Sequence, residues 1–179
     1  MFTNPKNLKF LIFFFCFSIF SSIAQTNEDV PLNNMAINEK PKPISPIIFE
    51  DFSGNKIHLK DYRGKIVIIN FWATWCTPCK NEMPSLDTLQ QDTSFKNLQV
   101  FAVNMEQPNT IKTKKFFDDL NIKKLSIFFD SNLNFVKEFK LRGVPTTILI
   151  NKKGEEFSRI IGSVDFQDKK FLKWLSLYD

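Results

Sequence analysis

Two cysteines separated by two residues, Cys76 and Cys79, are the side chains in this sequence best suited to do chemistry. They lie in the stretch Phe-Trp-Ala-Thr-Trp-Cys-Thr-Pro-Cys-Lys, where a long apolar run passes into residues with helical spacing. A thiol at a helix N-terminus faces unpaired backbone N–H groups and the positive end of the helix dipole, and both favour the thiolate. The position therefore predicts that Cys76 is a nucleophile and that Cys79, one turn into the helix, resolves a mixed disulfide.

The same spacing has two other interpretations. A zinc site would need two further Cys or His ligands, but His58 is the only histidine, and Cys16 lies in an N-terminal apolar segment. A purely structural disulfide would close a loop of two residues, which removes little entropy from the unfolded chain. A redox role is favoured over both, and we expect His58 to be a half-exposed polar residue.

The composition argues against several other classes of function. The chain of 179 residues carries a formal net charge of +5 with no run of five basic residues, so nucleic-acid binding is not expected. Its five glycines form neither G-x-G-x-x-G nor a Walker loop, which excludes the usual phosphate-binding loops. We expect no cofactor and no bound metal.

The N-terminus has the pattern of a signal peptide. Lys6 and Lys9 precede an apolar segment over residues 10–23, which is shorter than the roughly 20 residues of a spanning helix. Small residues follow, so we predict a signal peptide over residues 1–24 with cleavage after Ala24; an uncleaved anchor is the alternative. Residues 25–45 are polar and contain three prolines, and we predict a flexible linker there. A single domain would then occupy residues 46–179, with Cys76 and Cys79 able to pair only with each other.

Strands and helices alternate along the predicted domain, which indicates an α/β sheet covered on both faces. An interior proline, Pro84, is expected to kink the first helix. The predicted elements, in chain order, are a hairpin (46–50 and 56–59), a buried strand (65–72), a helix (77–91), a strand (97–104), a helix (110–120), a strand (125–129), a helix (133–139), a hairpin (146–150 and 156–161) and a helix from Asp165.

The sequence resembles the thioredoxin superfamily and, within it, the exported TlpA and ResA type thiol-disulfide oxidoreductases. The resemblance extends from about Pro46 to Leu177 and rests on the motif around the two cysteines, on Glu82 and Pro84, and on Gly-Val-Pro-Thr-Thr at residues 143–147. It implies a thioredoxin-like fold with a central mixed sheet, helices on both faces, an N-terminal β-hairpin and an extra helix and strand before the proline of that last motif.

The resemblance also assigns further site residues. The Val144-Pro145 bond should be cis and lie against the two cysteines, where its backbone groups would meet an extended substrate. Asn70 stands where thioredoxin carries a buried aspartate, and Glu82 is expected to replace that aspartate as the proton acceptor. The alternative for Glu82 is a solvated carboxylate near a helix start. Trp72 is expected in the core, and the predicted substrate contacts are Trp75, Thr77, Pro78, Val144 and Pro145.

The signal-peptide pattern predicts export to the periplasm or the outer face of the cytoplasmic membrane, and the resemblance implies that the protein is a monomeric dithiol reductant there. Its expected partners are disulfide-containing envelope proteins, with apocytochrome c and a copper-site assembly factor as candidates, and a thiol donor in the membrane. A disulfide oxidase and a copper-binding assembly module are alternatives that would use the same cysteines. Residues 140–146 differ from the Gly-Val-Tyr-Gly-x-Pro-Glu stretch of cytochrome c maturation relatives, which argues against a dedicated haem role.

Overall fold

An eight-stranded mixed sheet forms the centre of the protein in a computed structural model that describes residues 30–179. The predicted signal peptide, residues 1–24, and the first residues of the predicted linker lie outside the described residues. The spatial order of the strands is β1-β8-β7-β4-β5-β6-β2-β3. The strands are β1 (Met35–Pro43), β2 (Ile48–Asp51), β3 (Lys56–His58), β4 (Ile66–Trp72), β5 (Leu98–Asn104), β6 (Ile127–Phe129), β7 (Thr146–Ile150) and β8 (Glu155–Ile161).

Helices cover both faces of this sheet, as predicted. They are α1 (Thr77–Gln90), α2 (Thr110–Asp119), α3 (Asn134–Phe139) and α4 (Lys169–Leu175), with a short 3-10 helix at Leu59–Tyr62. Buried side chains of α1, α2 and α4 pack on one face, and those of α3 pack on the other. None of the helices within residues 30–179 is long and apolar enough to cross a membrane.

The central strand β4 is buried along its whole length, as its unbroken apolar sequence predicts. It pairs parallel with β5 and antiparallel with β7. Its alternate side chains enter the two hydrophobic clusters, so that Trp72 lies on the α1 side and Phe71 on the α3 side. Helix α1 begins shortly after β4 and continues through Pro84, burying Met83, Leu86 and Leu89 against the sheet.

The extra helix and strand implied by the resemblance are α2 and β6. Strand β6 pairs parallel with β5 and antiparallel with β2, which attaches the β2–β3 hairpin to this edge of the sheet. The N-terminal hairpin and the insertion are therefore both confirmed. At the other end of the chain, α4 begins at Lys169 rather than at Asp165, because Asp168 caps it by accepting the backbone N–H groups of Lys170 and Phe171.

The prediction of a flexible linker over residues 25–45 is wrong for Met35–Pro43, which form the edge strand β1. This strand pairs antiparallel with β8, and the Ser158 hydroxyl donates a hydrogen bond to the carbonyl of Ala36 at 2.9 Å. Only Met35 is buried, so β1 is held largely by main-chain pairing and needs no periodic apolar pattern. Prolines are tolerated because an edge strand has one unpaired side. The ordered domain therefore begins before residue 46.

Candidate redox-active site

Cys76 and Cys79 form a disulfide at the start of α1, with their Cα atoms 5.3 Å apart. Cys76 is the N-cap residue of α1, and its Sγ accepts the backbone N–H of Cys79 at 3.2 Å. Cys76 is 3% exposed and Cys79 is fully buried. Cys76 thus lies at the helix N-terminus, as predicted from the sequence. Of the two cysteines, only Cys76 has any access to solvent.

The residues around the disulfide form an exposed rim. Trp75 is 69% exposed, and Thr77 and Pro78 are exposed as well. Trp72, by contrast, is fully buried and packs against Phe116 with ring centroids 4.5 Å apart, which confirms its expected place in the core. Tryptophan is enriched where proteins contact one another and often contributes a large part of the binding energy. Trp75, which is exposed next to the disulfide, is therefore suited to contact another protein.

Glu82 is a buried carboxyl group, only 1% exposed, on the same face of α1 as Cys79. The Asn70 side-chain amide donates to its Oε1 at 2.7 Å, and the backbone N–H of Val164 donates to its Oε2 at 3.1 Å. Burial raises the pKa of Glu82 to about 7, although these hydrogen bonds act in the opposite direction. The interpretation of Glu82 as a solvated surface charge is therefore wrong.

Asn70 connects this carboxyl group to the sheet. Its side-chain amide also donates to the Thr147 hydroxyl at 3.0 Å, while its Oδ1 has no hydrogen-bond partner among residues 30–179. Asn70 lies in β4 and Thr147 in the neighbouring strand β7. The amide thus holds Glu82 in place, but it cannot itself exchange a proton in the physiological range.

The Val144-Pro145 bond is cis, as the resemblance implies. Pro145 is buried, and Val144 is half-buried and packs against the hydrophobic cluster that contains both cysteines. No other described residue forms a hydrogen bond with the backbone N–H or C=O of Val144. These two groups are therefore free to pair with an extended chain that passes the disulfide.

Glu106 is a residue of the site that the sequence analysis missed. Its carboxylate accepts the backbone N–H of Thr74 at 2.5 Å and the Thr74 hydroxyl at 3.0 Å, and Lys112 Nζ lies 2.6 Å from it. Partial burial would raise the pKa of Glu106, but the hydrogen bonds from Lys112, Thr74 and Asn104 outweigh burial and lower the pKa to about 2. A carboxylate that is ionised at neutral pH thus fixes the loop at Thr74, two residues before Cys76.

The sequence contains a signal that could have revealed this contact. Strands β4 and β5 are parallel, so residues that follow their carboxyl ends meet at one edge of the sheet. Thr74 and Glu106 each lie two residues beyond the end of such a strand. Within residues 30–179, no group of three or more His, Cys, Asp or Glu side chains is placed to hold a metal ion.

The buried carboxyl group predicts a pH dependence of stability. The pKa of Glu82 is about 7 in the folded protein against an ordinary 4.5, so the folded state binds the proton more tightly. Proton binding at Glu82 therefore stabilises the folded state fully below about pH 4.5, and this contribution to the unfolding free energy is lost as the pH rises through about 7. The loss is on the order of 3 kcal/mol. We therefore expect Glu82→Gln to remove most of the decline in unfolding free energy between pH 5 and pH 8.

Urea unfolding of the oxidised protein at four pH values between 5 and 8 measures this effect. The matched control is Glu39→Gln, which alters an exposed glutamate of β1. It should retain the pH dependence of the wild type. Equal slopes of unfolding free energy against pH in wild type and Glu82→Gln would contradict the assignment of a raised pKa to Glu82.

The fold and the site together define the class of this protein: a thioredoxin-like fold with a disulfide at the start of a helix and a cis-proline loop packed against the cluster that contains it. The comparison with protein families agrees with this class. The chain belongs to the AhpC/TSA family, whose profile matches residues 41–155.

Several proteins of known sequence or structure are similar to this chain. The thiol-disulfide oxidoreductase ResA of Halalkalibacterium halodurans is 36% identical over 108 residues, which is 60% of this chain and 60% of that protein. ResA of Geobacillus kaustophilus is 33% identical over 121 residues, 68% of each chain. The structure of StoA from Bacillus subtilis gives a TM-score of 0.62 at 26% identity, covering 75% of this chain and 99% of StoA. The resemblance to ResA-type proteins is confirmed, although the match spans only 60% of the length of the first of these relatives.

Proposed function

We propose that this protein is a thiol-disulfide oxidoreductase that exchanges disulfides with other proteins through Cys76 and Cys79. The observation that carries this proposal is the disulfide at the N-terminus of α1, with the buried carboxyl group of Glu82 on the same helix face. The names of the ResA relatives support the same activity. We further propose that the protein acts as a reductant of substrate disulfides, which is the direction implied by the resemblance of its sequence to TlpA and ResA type proteins.

The proposed reaction has two exchange steps. The Cys76 thiolate attacks one sulfur of the substrate disulfide, so that a mixed disulfide forms and the other substrate sulfur leaves as a thiolate that takes up a proton. Cys79 then loses its proton and attacks the Cys76 sulfur, which releases the second substrate thiol. The substrate disulfide gains two electrons and two protons, and the Cys76–Cys79 pair becomes oxidised.

Glu82 is the proposed proton acceptor for the second step. Cys79 is fully buried, so its proton has little access to bulk water. Glu82 lies one helical turn further along the same buried face, and its pKa of about 7 allows it to accept and release a proton near neutral pH. Asn70 acts as a positioning residue, because it orients the carboxyl group without titrating.

The exposed rim and the cis-proline loop are the proposed substrate contacts. Trp75, Thr77 and Pro78 surround the disulfide at the surface. The free backbone groups of Val144, next to Pro145, would pair with a substrate segment in extended conformation. This arrangement recognises main chain and apolar surface, which suits an enzyme that acts on disulfides of several proteins.

The N-terminal sequence supports an extracytoplasmic location. We infer that residues 1–24 direct export and that the domain acts as a monomer in the periplasm or at the outer face of the cytoplasmic membrane. Its substrates would be envelope proteins with disulfides, such as apocytochrome c or a copper-site assembly factor. A membrane protein with a reduced dithiol would return Cys76 and Cys79 to the thiol state.

Cleavage after Ala24 is a direct prediction of this location. The intact mass of the protein extracted from the cell envelope should correspond to a chain that begins at Gln25. A variant with Ala24→Tyr places a bulky ring where the cleavage site needs a small residue, and it should accumulate uncleaved. A wild-type protein that retains residues 1–24 would instead indicate a membrane anchor.

Trapping in the envelope tests the proposed function. Cys79→Ser can form the mixed disulfide but cannot resolve it, so envelope proteins should be recovered covalently bound to Cys76. Cys76→Ser is the matched control and should recover none. Equal recovery by both variants would contradict the proposal.

If the protein were instead a copper-binding module, anaerobic titration of the reduced protein would give stoichiometric copper binding that requires both cysteines.

A further inference from the structure

A groove of about 970 Å³ lies beside the cis-proline loop. It is lined by β1, by β8 and by residues 138–146, which run from the end of α3 to the start of β7 and include Val144 and Pro145. Its volume is at the upper end of the roughly 300–1,000 Å³ typical of ligand clefts. The groove is therefore large enough for an extended segment of chain, and it includes Val144, whose backbone N–H and C=O are free to pair with a substrate.

An irregularity of the edge strand forms one wall of this groove. Ile37 pairs with Ser158 and Lys42 pairs with Glu156, so five steps along β1 match two steps along β8. The additional residues of β1 leave the regular ladder, as in a β-bulge, and the Asn38 side chain bonds to the carbonyl of Glu156 at 3.0 Å. Bulges of this kind redirect side chains near functional sites.

The charges along the groove are mostly positive. Four cations and two acids line it; Glu156 forms an ion pair with Arg159 at 2.7 Å, and Glu138, which accepts the backbone N–H of Ser45 at 3.0 Å, is the one acid of the groove without an ion-pair partner within residues 30–179. The three remaining cations of the groove are exposed, and none has an ion-pair partner within residues 30–179. They are Lys42, Lys140 and Arg142.

Apolar side chains lie between these cations. Ile44, Leu141 and Val144 are half-buried along the groove, and Ile161 is 57% exposed. Unpaired cations next to exposed apolar surface complement a chain that carries both carboxylates and apolar side chains. The continuity of the groove with Val144 and Pro145 indicates that such a chain would be in extended conformation.

We propose that this groove is a specificity site, which binds an acidic, extended segment that flanks the reactive disulfide of a protein substrate. The inference rests on the proposed function of Cys76 and Cys79 and adds the chemistry of the substrate to it. Main-chain pairing at Val144 orients the segment next to the disulfide. Lys42, Lys140 and Arg142 then favour carboxylates over neutral or basic side chains at the flanking positions.

Two synthetic peptides with the same internal disulfide test the proposal. One carries a Glu-Leu-Glu-Leu flank, and the other carries Gln-Leu-Gln-Leu. At low ionic strength the reduced wild-type protein should reduce the acidic peptide with a kcat/KM roughly tenfold higher, mainly through a lower KM. The preference should shrink in 0.5 M salt, because exposed charges are screened.

Charge reversal locates the preference. The double substitution Lys140→Glu with Arg142→Glu should remove or invert the ratio of the two kcat/KM values. The matched control is Lys169→Glu with Lys170→Glu, which makes the same change of net charge at exposed positions of α4 and should keep the ratio. If the reversal variant does not fold, Lys140→Gln with Arg142→Gln removes the charges with smaller change and should lose the preference.

The outcomes separate this inference from the proposed function. Equal reduction of both peptides by the wild type would overturn the acidic preference and leave the oxidoreductase activity intact. A preference that persists in the Lys140 and Arg142 variants would overturn the assignment to the groove. If neither peptide were reduced, the proposed function would be wrong. The groove would still be tested by fluorescence anisotropy, in which a labelled, cysteine-free acidic peptide should bind the wild type and not the reversal variant.

Discussion

Cys76→Ser is expected to abolish disulfide reduction, whereas Cys79→Ser is expected to stop the reaction at a stable mixed disulfide. Cys76 caps α1 and is the one cysteine of the pair with any exposure to solvent, so we assign it as the attacking residue. The first variant therefore lacks the attacking sulfur. In the second variant the attack still occurs, but no buried thiol remains to displace the substrate. Turnover should fall roughly 10³-fold or more in both variants.

Mass spectrometry under non-reducing conditions distinguishes the two variants. After incubation with one of the synthetic peptides that carry an internal disulfide, Cys79→Ser should gain the mass of one peptide chain, and Cys76→Ser should gain none. Alkylation of the reduced wild type at acidic pH should label Cys76 first, because the helix N-terminus favours its thiolate. Faster labelling of Cys79, or a stable adduct on Cys76→Ser, would reverse the assigned roles.

Glu82→Gln is expected to slow the resolution of the mixed disulfide. The amide keeps the shape of the side chain and can still bond to Asn70, but it cannot take the proton of Cys79. General base catalysis contributes roughly 10²–10⁴-fold, which sets the upper limit of the effect. In the wild type the resolution rate should rise with pH through about 7, where Glu82 loses its proton. The variant should be slow and lack that rise.

Asn70→Asp is the informative second variant for this step. It replaces the amide 2.7 Å from the Glu82 carboxyl with a second acid, and two such groups titrate as a coupled pair. Repulsion between the charges should move the pH dependence of resolution to higher pH. The exposed control Glu39→Gln should behave as the wild type does. An unchanged rate and pH profile in Glu82→Gln would leave water as the proton acceptor.

The parts of the fold that depend on local pattern could be predicted from the sequence. The continuous apolar run of β4 and the helical spacing after Cys76 each identify their element, and together they place the cysteines at a strand-to-helix junction. Strand β1 could not be found in this way, because its pairing with β8 uses backbone groups that any residue supplies. Its polar composition therefore resembled that of a linker.

The environment of the candidate site depended on contacts distant in sequence. The position of Glu82 three residues after Cys79 indicated a shared face, but its burial depends on Asn70 and on the backbone of Val164, which is 82 residues away. The cations of the groove, among them Lys42 and Arg142, come from separate parts of the chain and form no sequence motif. Only the sheet order brings such residues together.

The most direct test of the oxidoreductase assignment is a count of thiols after a single turnover. Fully reduced protein is mixed with one equivalent of a disulfide peptide at pH 7, quenched with acid, alkylated and weighed intact. One Cys76–Cys79 disulfide should form for each peptide disulfide that is lost, and Cys76→Ser should leave the peptide oxidised. If the peptide disulfide persists while Cys76 and Cys79 both remain alkylatable, the two cysteines do not carry out disulfide exchange.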